Sequence, residues 1–440
     1  MLDLVIAFVL FFLLLVASVL KGVFLAYPLA AGTMLFFFIA MKRGYGFSEL
    51  LQMAYRGGKK SFIVIEVLIL IGALIPLWIA AGTLPAIVFF GMRLIKPNLF
   101  LLMAFLINCF VSFLIGSSVG TTGVVGMALM VMARSGSVNL SAAAGAIIAG
   151  AYFGDRCSPV SSSASFVAYI TETDIYDNIR NMFRTSIIPF LLALVFYLTV
   201  SQLYPLHSET DGINRMIQDA FQLNWLVLAP VLVIAIFSVF KANIRISMAA
   251  SILAAFAVSV AMQHQTAIQC LHFMVFGFKM DAANPLYEVI KSGGMLSLLK
   301  TATVVFLASV FAGIMEGTRL LDPIEAMTAK ADSRGAVFQN MLATSVFGAA
   351  FGCSQTFAVM LTYMLNKKAY KKNNLDKSYA AIDLENTGIM VSALIPWNIA
   401  LLAPMTILGA GADCIPFLAY IYLVPLCNFI YLKVKRQSPE

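Results

Sequence analysis

The chain has 440 residues, 61% hydrophobic and only 11% charged, with a mean hydropathy of +0.91 and a formal net charge of +8. Apolar runs such as LVIAFVLFFLLLVASVL at 4–20 match a hydrocarbon core of about 30 Å and define a polytopic α-helical membrane protein; the alternating strands of a membrane barrel, about ten residues each, are not found. The basic residues fall in short loops between apolar runs, which makes the positive charge an orientation signal and gives no reason to expect a nucleic-acid partner.

In chain order, Asp3 stands where a signal peptide would carry positive charge, so the first apolar run is read as a spanning helix over 3–20. Helices follow over 22–41 and 61–81, then a paired apolar segment at 98–134 interrupted by GSSVGTTG, a long helix at 141–172 broken near Ser158, and a last helix at 185–203. The same order then recurs: 222–240, 243–262, 296–316, a pair at 336–366 interrupted by GCSQT, a helix at 378–410 broken near Ser392, and 415–433. Landmarks support a duplication. SVLKG at 18–22 matches SVFKA at 238–242; further on, Gly57-Gly58 matches Gly293-Gly294, Gly116 matches Gly352, Gly154 matches Gly388, Ser158 matches Ser392 and Pro189 matches Pro425. Residues 1–205 are read as the first repeat, 206–221 as an external linker and 222–440 as the second repeat.

Orientation follows from the basic residues. With five crossings per half, and each paired segment entering and leaving on one side, a cytoplasmic N-terminus collects 20 of the 29 Lys and Arg residues on the cytoplasmic side, leaving 8 outside and Arg156 within the membrane. The positive-inside rule therefore places both termini in the cytoplasm. An odd number of crossings makes the repeats inverted, which is the architecture of secondary transporters with a midplane site. The predicted fold class is all-α polytopic, with two inverted repeats, each of five spanning helices, one of them broken mid-membrane, plus a helical hairpin; two full spans in place of the hairpin remain open.

The stretch GDRCSPVSSSAS at 154–165 is out of place among apolar residues. Pro159 and Pro396 break the two long helices by lacking an amide hydrogen and crowding the preceding turn. Broken helices at membrane depth are tolerated only where protein or a wet cavity satisfies the freed backbone. The breaks and the two interruptions supply oxygen ligands on Ser117, Ser118, Thr121, Thr122, Ser158, Ser161, Ser162, Ser163, Ser354, Thr356 and Ser392, and amides on Gln355 and Asn398. Neutral oxygens of this kind suit a hard monovalent cation such as Na⁺, at Asp155, Ser158 and Ser162. Small residues that let helices approach are the alternative reading of each serine alone.

Asp155 is the sharper signal, because a carboxylate at mid-bilayer costs about 2.5–3.5 kcal/mol on insertion scales and is there for function. It is a candidate for proton or cation carriage, as are Glu385 and Asp383 in AIDLENTG. Consecutive residues do not face each other on a helix, so Arg156 is not automatically the partner of Asp155, although a structural ion pair reached through bending at the break is the alternative; Arg156 could hold a broken-helix carbonyl, Glu385, Glu66 or an anionic substrate. The six cysteines lie scattered without a CxxC pair and read as reduced packing residues. His207, His264 and His272 fall in or near external loops.

GAYFGDRCSPVSSSASFVAYITETDIYDNIRNMF at 150–183 and LENTGIMVSALIPWN at 384–398 resemble the signatures of the NhaC family of sodium/proton antiporters, within the ion-transporter superfamily, and the resemblance extends along nearly the whole chain. It implies Na⁺/H⁺ exchange, or in some relatives organic-acid or amino-acid movement coupled to those ions, with Na⁺ as transported or coupling ion and no other cofactor, and it implies a homodimer. It carries functional weight onto Asp155, Ser158, Pro159, Ser161, Glu385, Ser392, Trp397 and Asn398. This chain departs from the family pattern at Ser162 and Asn386, where many members carry an acid, and at Ser165, where they carry Asn.

The expected function is a multi-pass antiporter of the cytoplasmic (inner) membrane in which Na⁺ and H⁺ compete for Asp155. The alternative is a Na⁺- or H⁺-coupled carrier of a small organic acid or amino acid, gripped by Arg156 or Asn398. No triad, metal cluster or phosphate loop suggests an enzyme.

Overall fold

The computed structural model describes residues 2–94, 96–159, 161–206, 210–240, 243–280, 292–318 and 328–435. Of the residues singled out above, His207 lies outside them, as do Lys241, Lys291, Arg319 and Arg436 among the basic residues counted for orientation. The chain is 83% helical, without a strand among the described residues.

The first half comprises α1 (Leu2–Leu20), α2 (Ala26–Lys42), α3 (Phe47–Ala80), α4 (Thr83–Leu94) and α5 (Phe100–Ile115); then α6 (Ser118–Thr121), running through a π-turn at Thr122–Gly126 into α7 (Met127–Ser135); then α8 (Leu140–Cys157), α9 (Ser162–Thr171) and α10 (Ile175–Leu203). The second half comprises α11 (Thr210–Ala220), α12 (Ala229–Val239), α13 (Ile244–Met262), α14 (Ala267–Phe276), α15 (Leu299–Gly317), α16 (Arg334–Gly352) and α17 (Gln355–Lys372). It ends with α18 (Lys377–Leu384), a π-turn at Glu385–Ile389, α19 (Met390–Ser392), α20 (Ile399–Leu408) and α21 (Ala419–Lys435).

Among the described residues, five helical stretches are individually long and apolar enough to cross a membrane: Phe47–Ala80, Pro97–Ile115, Ile175–Leu203, Arg245–Met262 and Met295–Gly317. Shorter apolar helices, among them Ile6–Leu20 and Ala26–Lys42, accompany them. The apolar flanks are widely exposed, as at Leu13, Phe38, Ile187, Leu191 and Leu253. In water such a surface would be an aggregation liability; against lipid it is the ordinary outside.

Several elements differ from the sequence expectation. Residues 47–60, read as a polar loop, are the first turns of α3. They are held there because Gly57 packs on Gly313 of α15: a Cβ on Gly57 would lie 2.7 Å from Gly313 Cα, and one on Gly313 2.6 Å from Gly57 Cα. Two backbones in contact hold one face of this stretch against α15, with Leu50, Gly57 and Gly58 buried, while Arg56, Lys59 and Lys60 point outward. The expected linker at 206–221 contains the amphipathic helix α11, and α4 and α14 are further helices in stretches expected to be loops. The last helix of the first half starts ten residues earlier than expected, at Ile175, because Asp174 accepts hydrogen bonds from the amides of Tyr176 and Asp177 and so caps it.

Backbone landmarks recur between the halves. The helix interruption at Gly116 (φ 70°, ψ 25°) and Ser117 (φ −145°, ψ 120°) has its like at Cys353 (φ 53°, ψ 9°) and Ser354 (φ −137°, ψ 131°). Asn139 and Asp376 cap the broken helices at their starts. Ser161 and Asn398 cap the ten-residue helices α9 and α20, which end in left-handed residues at Glu172 and Gly409. Each second member lies 237 positions after the first. Measured by conformation, Gly116 therefore corresponds to Cys353, one residue beyond the glycine that sequence matching chose. A left-handed cysteine costs about 1–2 kcal/mol more than a glycine there.

Candidate functional site

The two interrupted pairs and the two broken helices converge. α5 packs along α8, where Gly150 and Gly154 leave no room for a Cβ against the backbone of Phe105 and Ser112. α16 and α17 pack against one another, with Gly348 close to Ala358. Between them lie the break after Cys157, the break after Ser392, and the π-turns of α6–α7 and α18–α19. A π-turn widens a helix and shifts its register, a form concentrated at functional sites.

Asp155, 4% exposed at the end of α8, has its carboxylate in reach of two hydroxyls: Ser118 Oγ at 3.4 Å from Oδ2, and Ser163 Oγ at 3.4 Å from each oxygen. Ser163 is also 3.3 Å from Gln355 Oε1, and Gln355 Nε2 donates to Ile389 O at 3.3 Å. Four interrupted segments thus meet at one acid: the α6 start, the α9 start, the α17 start and the second π-turn. The polar contacts of the carboxylate are long compared with the 2.5–2.7 Å of a tight hydroxyl–carboxylate bond. An acid ringed by loosely placed neutral oxygens can exchange its partner for a cation or a proton without breaking a strong internal bond.

The breaks are held by their own residues. Ser158 Oγ donates to Phe113 O at 2.6 Å, tying the first break to the end of α5, and Ser161 Oγ donates to the Asp155 carbonyl while accepting from the Ala164 amide. In the second half Trp397 Nε1 donates to Ala350 O at 2.6 Å, Asn398 Nδ2 to Ala349 O at 2.8 Å, and the Ile399 amide to Cys353 O at 3.0 Å. These bonds satisfy the last carbonyls of α16, which a helix end leaves without partners.

Arg156 is fully buried and faces away from Asp155. Nη1 reaches Met182 O at 3.3 Å, Tyr420 OH at 3.2 Å and Ser186 Oγ; Nη2 reaches Thr185 Oγ1 at 2.7 Å and Asn386 Oδ1. All are neutral acceptors, and no ion pair of Arg156 occurs among the described residues. Of the expected carboxylate partners, neither bonds to it directly. Glu66 pairs with Arg245 at 2.6 Å on the exposed side of α3, and Glu385, fully buried, has no hydrogen-bond partner on either carboxyl oxygen among the described residues, though its charge acts on Arg156.

The remaining sequence candidates divide. Ser118, Ser161 and Gln355 gather at Asp155, joined by Ser163, which stood among the hydroxyls read from sequence but outside the proposed Na⁺ ligands. Ser162 and Thr356 are exposed. Ser117 caps Gly120, Thr122 and Ser392 donate to the carbonyls of Ser118 and Gly388, and Ser354 begins α17. Thr121 Oγ1 is buried without a hydrogen-bond partner among the described residues. Asn398 has both polar atoms engaged by backbone. Asp383 is committed to an ion pair with Arg334 at 2.6 Å and to the Tyr370 hydroxyl.

An all-helical polytopic membrane protein whose interrupted helices meet at a buried acid belongs among ion-coupled membrane proteins by architecture. The chain belongs to the Na⁺/H⁺ antiporter family: the family profile matches residues 2–164 and 150–434. It is 27% identical over 417 residues to the Na⁺/H⁺ antiporter NhaC of Bacillus subtilis (93% of this chain, 92% of that protein). It is 26% identical over 387 residues to the malate-2H⁺/Na⁺-lactate antiporter of the same organism (86% and 82%), and 28% identical over 424 residues to the arginine/ornithine antiporter ArcD of Halobacterium salinarum (90% and 85%).

Proposed function

We propose that the chain exchanges Na⁺ for H⁺ across the cytoplasmic membrane by alternating access, with both termini on the cytoplasmic side. The single observation that carries this reading is the Asp155 carboxylate, buried and ringed by Ser118 and Ser163, with Gln355 beside them. Asp155 is the exchanged group: ionised, it holds Na⁺ with help from hydroxyl and carbonyl oxygens; protonated, it releases it. Glu385 is a second proton-carrying candidate, being buried without a bonding partner. Asp383 holds Arg334 and Asn398 holds the end of α16, so both position the site and do not carry cargo.

The repeated backbone landmarks support two inverted repeats, 1–205 and 222–440, joined through 206–221, with the broken helices as the moving, ion-binding parts. The test is Na⁺-driven proton flux in proteoliposomes. Asp155→Asn is expected to abolish it, and full pH-dependent exchange in that variant refutes the assignment.

A second reading, coupled carriage of a small organic acid or amino acid, draws support from relatives named for malate, lactate, arginine and ornithine. Against it stand the internal hydrogen bonds of Arg156 and Asn398, the two side chains best suited to grip a carboxylate or amide. Turnover that requires an organic solute in the same vesicles would favour this carrier.

A further inference from the structure

We propose that the face of α17 bearing Gln355, Thr362, Asn366 and Tyr370 is the path by which the exchanged cation and proton move between Asp155 and the membrane face that carries Arg334, and that Val359 against Gly388 is the layer closing it. This rests on the reading of Asp155 as the exchange site.

The four residues are spaced by seven, four and four positions, so they share one side of the helix. From Gln355 to Tyr370 that side extends about 22 Å at 1.5 Å per residue, well over half of a hydrocarbon core of about 30 Å. Each polar level meets a polar partner on a neighbouring element. Gln355 meets Ser163 and the Ile389 carbonyl. Thr362 lies 3.3 Å from Ser345, which donates to Thr387 at 3.0 Å. Asn366 Nδ2 donates to Thr344 at 2.9 Å, and Tyr370 donates to Asp383, the partner of Arg334. Past Tyr370 the helix ends in Lys371 and Lys372.

Hydroxyl pairs alone are accounted for by helix packing in a membrane. One further group is not. Asn366 Oδ1 is buried with no hydrogen-bond partner among the described residues, although Asn366 is wholly inside the protein. Such a group is an exception that calls for a role, and an acceptor left open on this file is what a passing cation or proton-bearing species requires. The file is interrupted once: a Cβ on Gly388 would be 3.0 Å from Val359 Cγ2 and 3.3 Å from Val359 Cα, so broken helix and α17 touch there through apolar atoms.

The test uses the full chain in proteoliposomes with Thr362→Cys, Asn366→Cys and Lys367→Cys, a membrane-impermeant thiosulfonate added from each side, and the parent chain with its six cysteines as background. Thr362→Cys and Asn366→Cys are expected to label from the same side as the exposed Lys367→Cys, with Na⁺ altering the rate at least threefold. Thr362→Val is expected to slow exchange about tenfold. Lys367→Cys labelling while both inner positions stay inert from either side overturns the path, as does Thr362→Val exchanging at the parent rate. Asp155→Asn separates the two ideas: inner labelling that persists while that variant still exchanges removes the assignment of Asp155 as the exchange site and leaves the path standing.

Discussion

Arg156 donates to Asn386, 230 positions on, while the carboxylate of Asp155, its neighbour in the chain, faces Ser118 and Ser163 on another side of the same helix. Successive helical residues are rotated by about 100°, so adjacency in sequence keeps these two charges in separate surroundings. Arg156 forms no direct ion pair with a carboxylate, nor Asp155 with a guanidinium, among the described residues. A buried acid left without a fixed counter-charge can take a mobile one.

The Asn386 amide supplies Arg156 with an acceptor, but its own Nδ2 is buried without a partner. Asn386→Leu therefore removes one of the two acceptors of Arg156 Nη2, leaving Thr185, and is expected to cost about 1.5–3 kcal/mol in thermal or denaturant unfolding in detergent. Asn386→Asp keeps the acceptor, replaces the unpartnered donor and adds an opposite charge, so it is expected to be at least as stable as the parent. A less stable Asn386→Asp would show that Arg156 is not held as described.

Asp383 is 1% exposed and pairs with Arg334, which also lies over the Tyr379 ring at 5.2 Å. Arg334→Leu leaves that carboxylate buried and unpaired, for an expected loss of about 3–5 kcal/mol. Removing both charges in Arg334→Leu/Asp383→Leu is expected to restore most of it, because a buried pair is expensive to break and cheap to replace with apolar groups. Unfolding curves of the single and double variants give the comparison.

Asn398 donates to Ala349 O and accepts from the Ala400 amide at 3.0 Å. Asn398→Ala removes both a helix-end donor and a helix cap, for an expected loss of about 1–3 kcal/mol in unfolding. Na⁺ affinity, measured by isothermal titration below the unfolding range, is expected to stay within twofold of the parent. A tenfold weaker affinity would instead make Asn398 a ligand.

Glu172, left-handed at the end of α9, bonds to Lys377 at the start of α18. The hydrogen bond and charge of Lys377 hold the Glu172 carboxyl below its usual value, and Glu172 raises the lysine in turn. The folded acid has the lower pKa, so its contribution is complete above the unfolded value of about 4.3 and fades as pH falls through the folded one. The lysine contribution is complete below about 10.4 and fades as pH rises further. Both groups are exposed, so Lys377→Met is expected to change stability little at neutral pH. By linkage the acid limb of a stability–pH curve below pH 5 flattens by no more than that small loss, and a large loss at neutral pH matched by a much flatter acid limb would show that the pair is not screened by solvent.

The sequence disclosed most of the helices and the acid at the centre of the site, because both signals are local. A run of apolar residues must be satisfied internally, and Asp155 next to Pro159 announces itself by cost and by geometry. Ser163 and Ser162 are adjacent and chemically identical, and only the phase of α9 decides that Ser163 meets Asp155 while Ser162 is exposed. The pairing of Arg156 with Asn386, and of Asp383 with Arg334, likewise depends on which helices become neighbours across more than one crossing. The early start of α3 was hidden for the same reason: its polar residues read as a loop until Gly313 supplies the surface that Gly57 lies on.

That last contact makes its own prediction. A Cβ on Gly57 meets the Ser309 carbonyl as well as Gly313 Cα, and both are backbone atoms that cannot rotate away. Gly57→Val must push α3 and α15 apart, at an expected cost of about 1–3 kcal/mol or more, even though valine gains helix propensity over glycine. Gly44, which has a left-handed φ but nothing within 4 Å of an added Cβ, is the contrasting position. Gly44→Ala carries only the backbone penalty of about 1–2 kcal/mol. Unfolding midpoints of each variant against the parent check the two costs, and a Gly57→Val protein as stable as the parent would show that the two helices do not touch at these glycines.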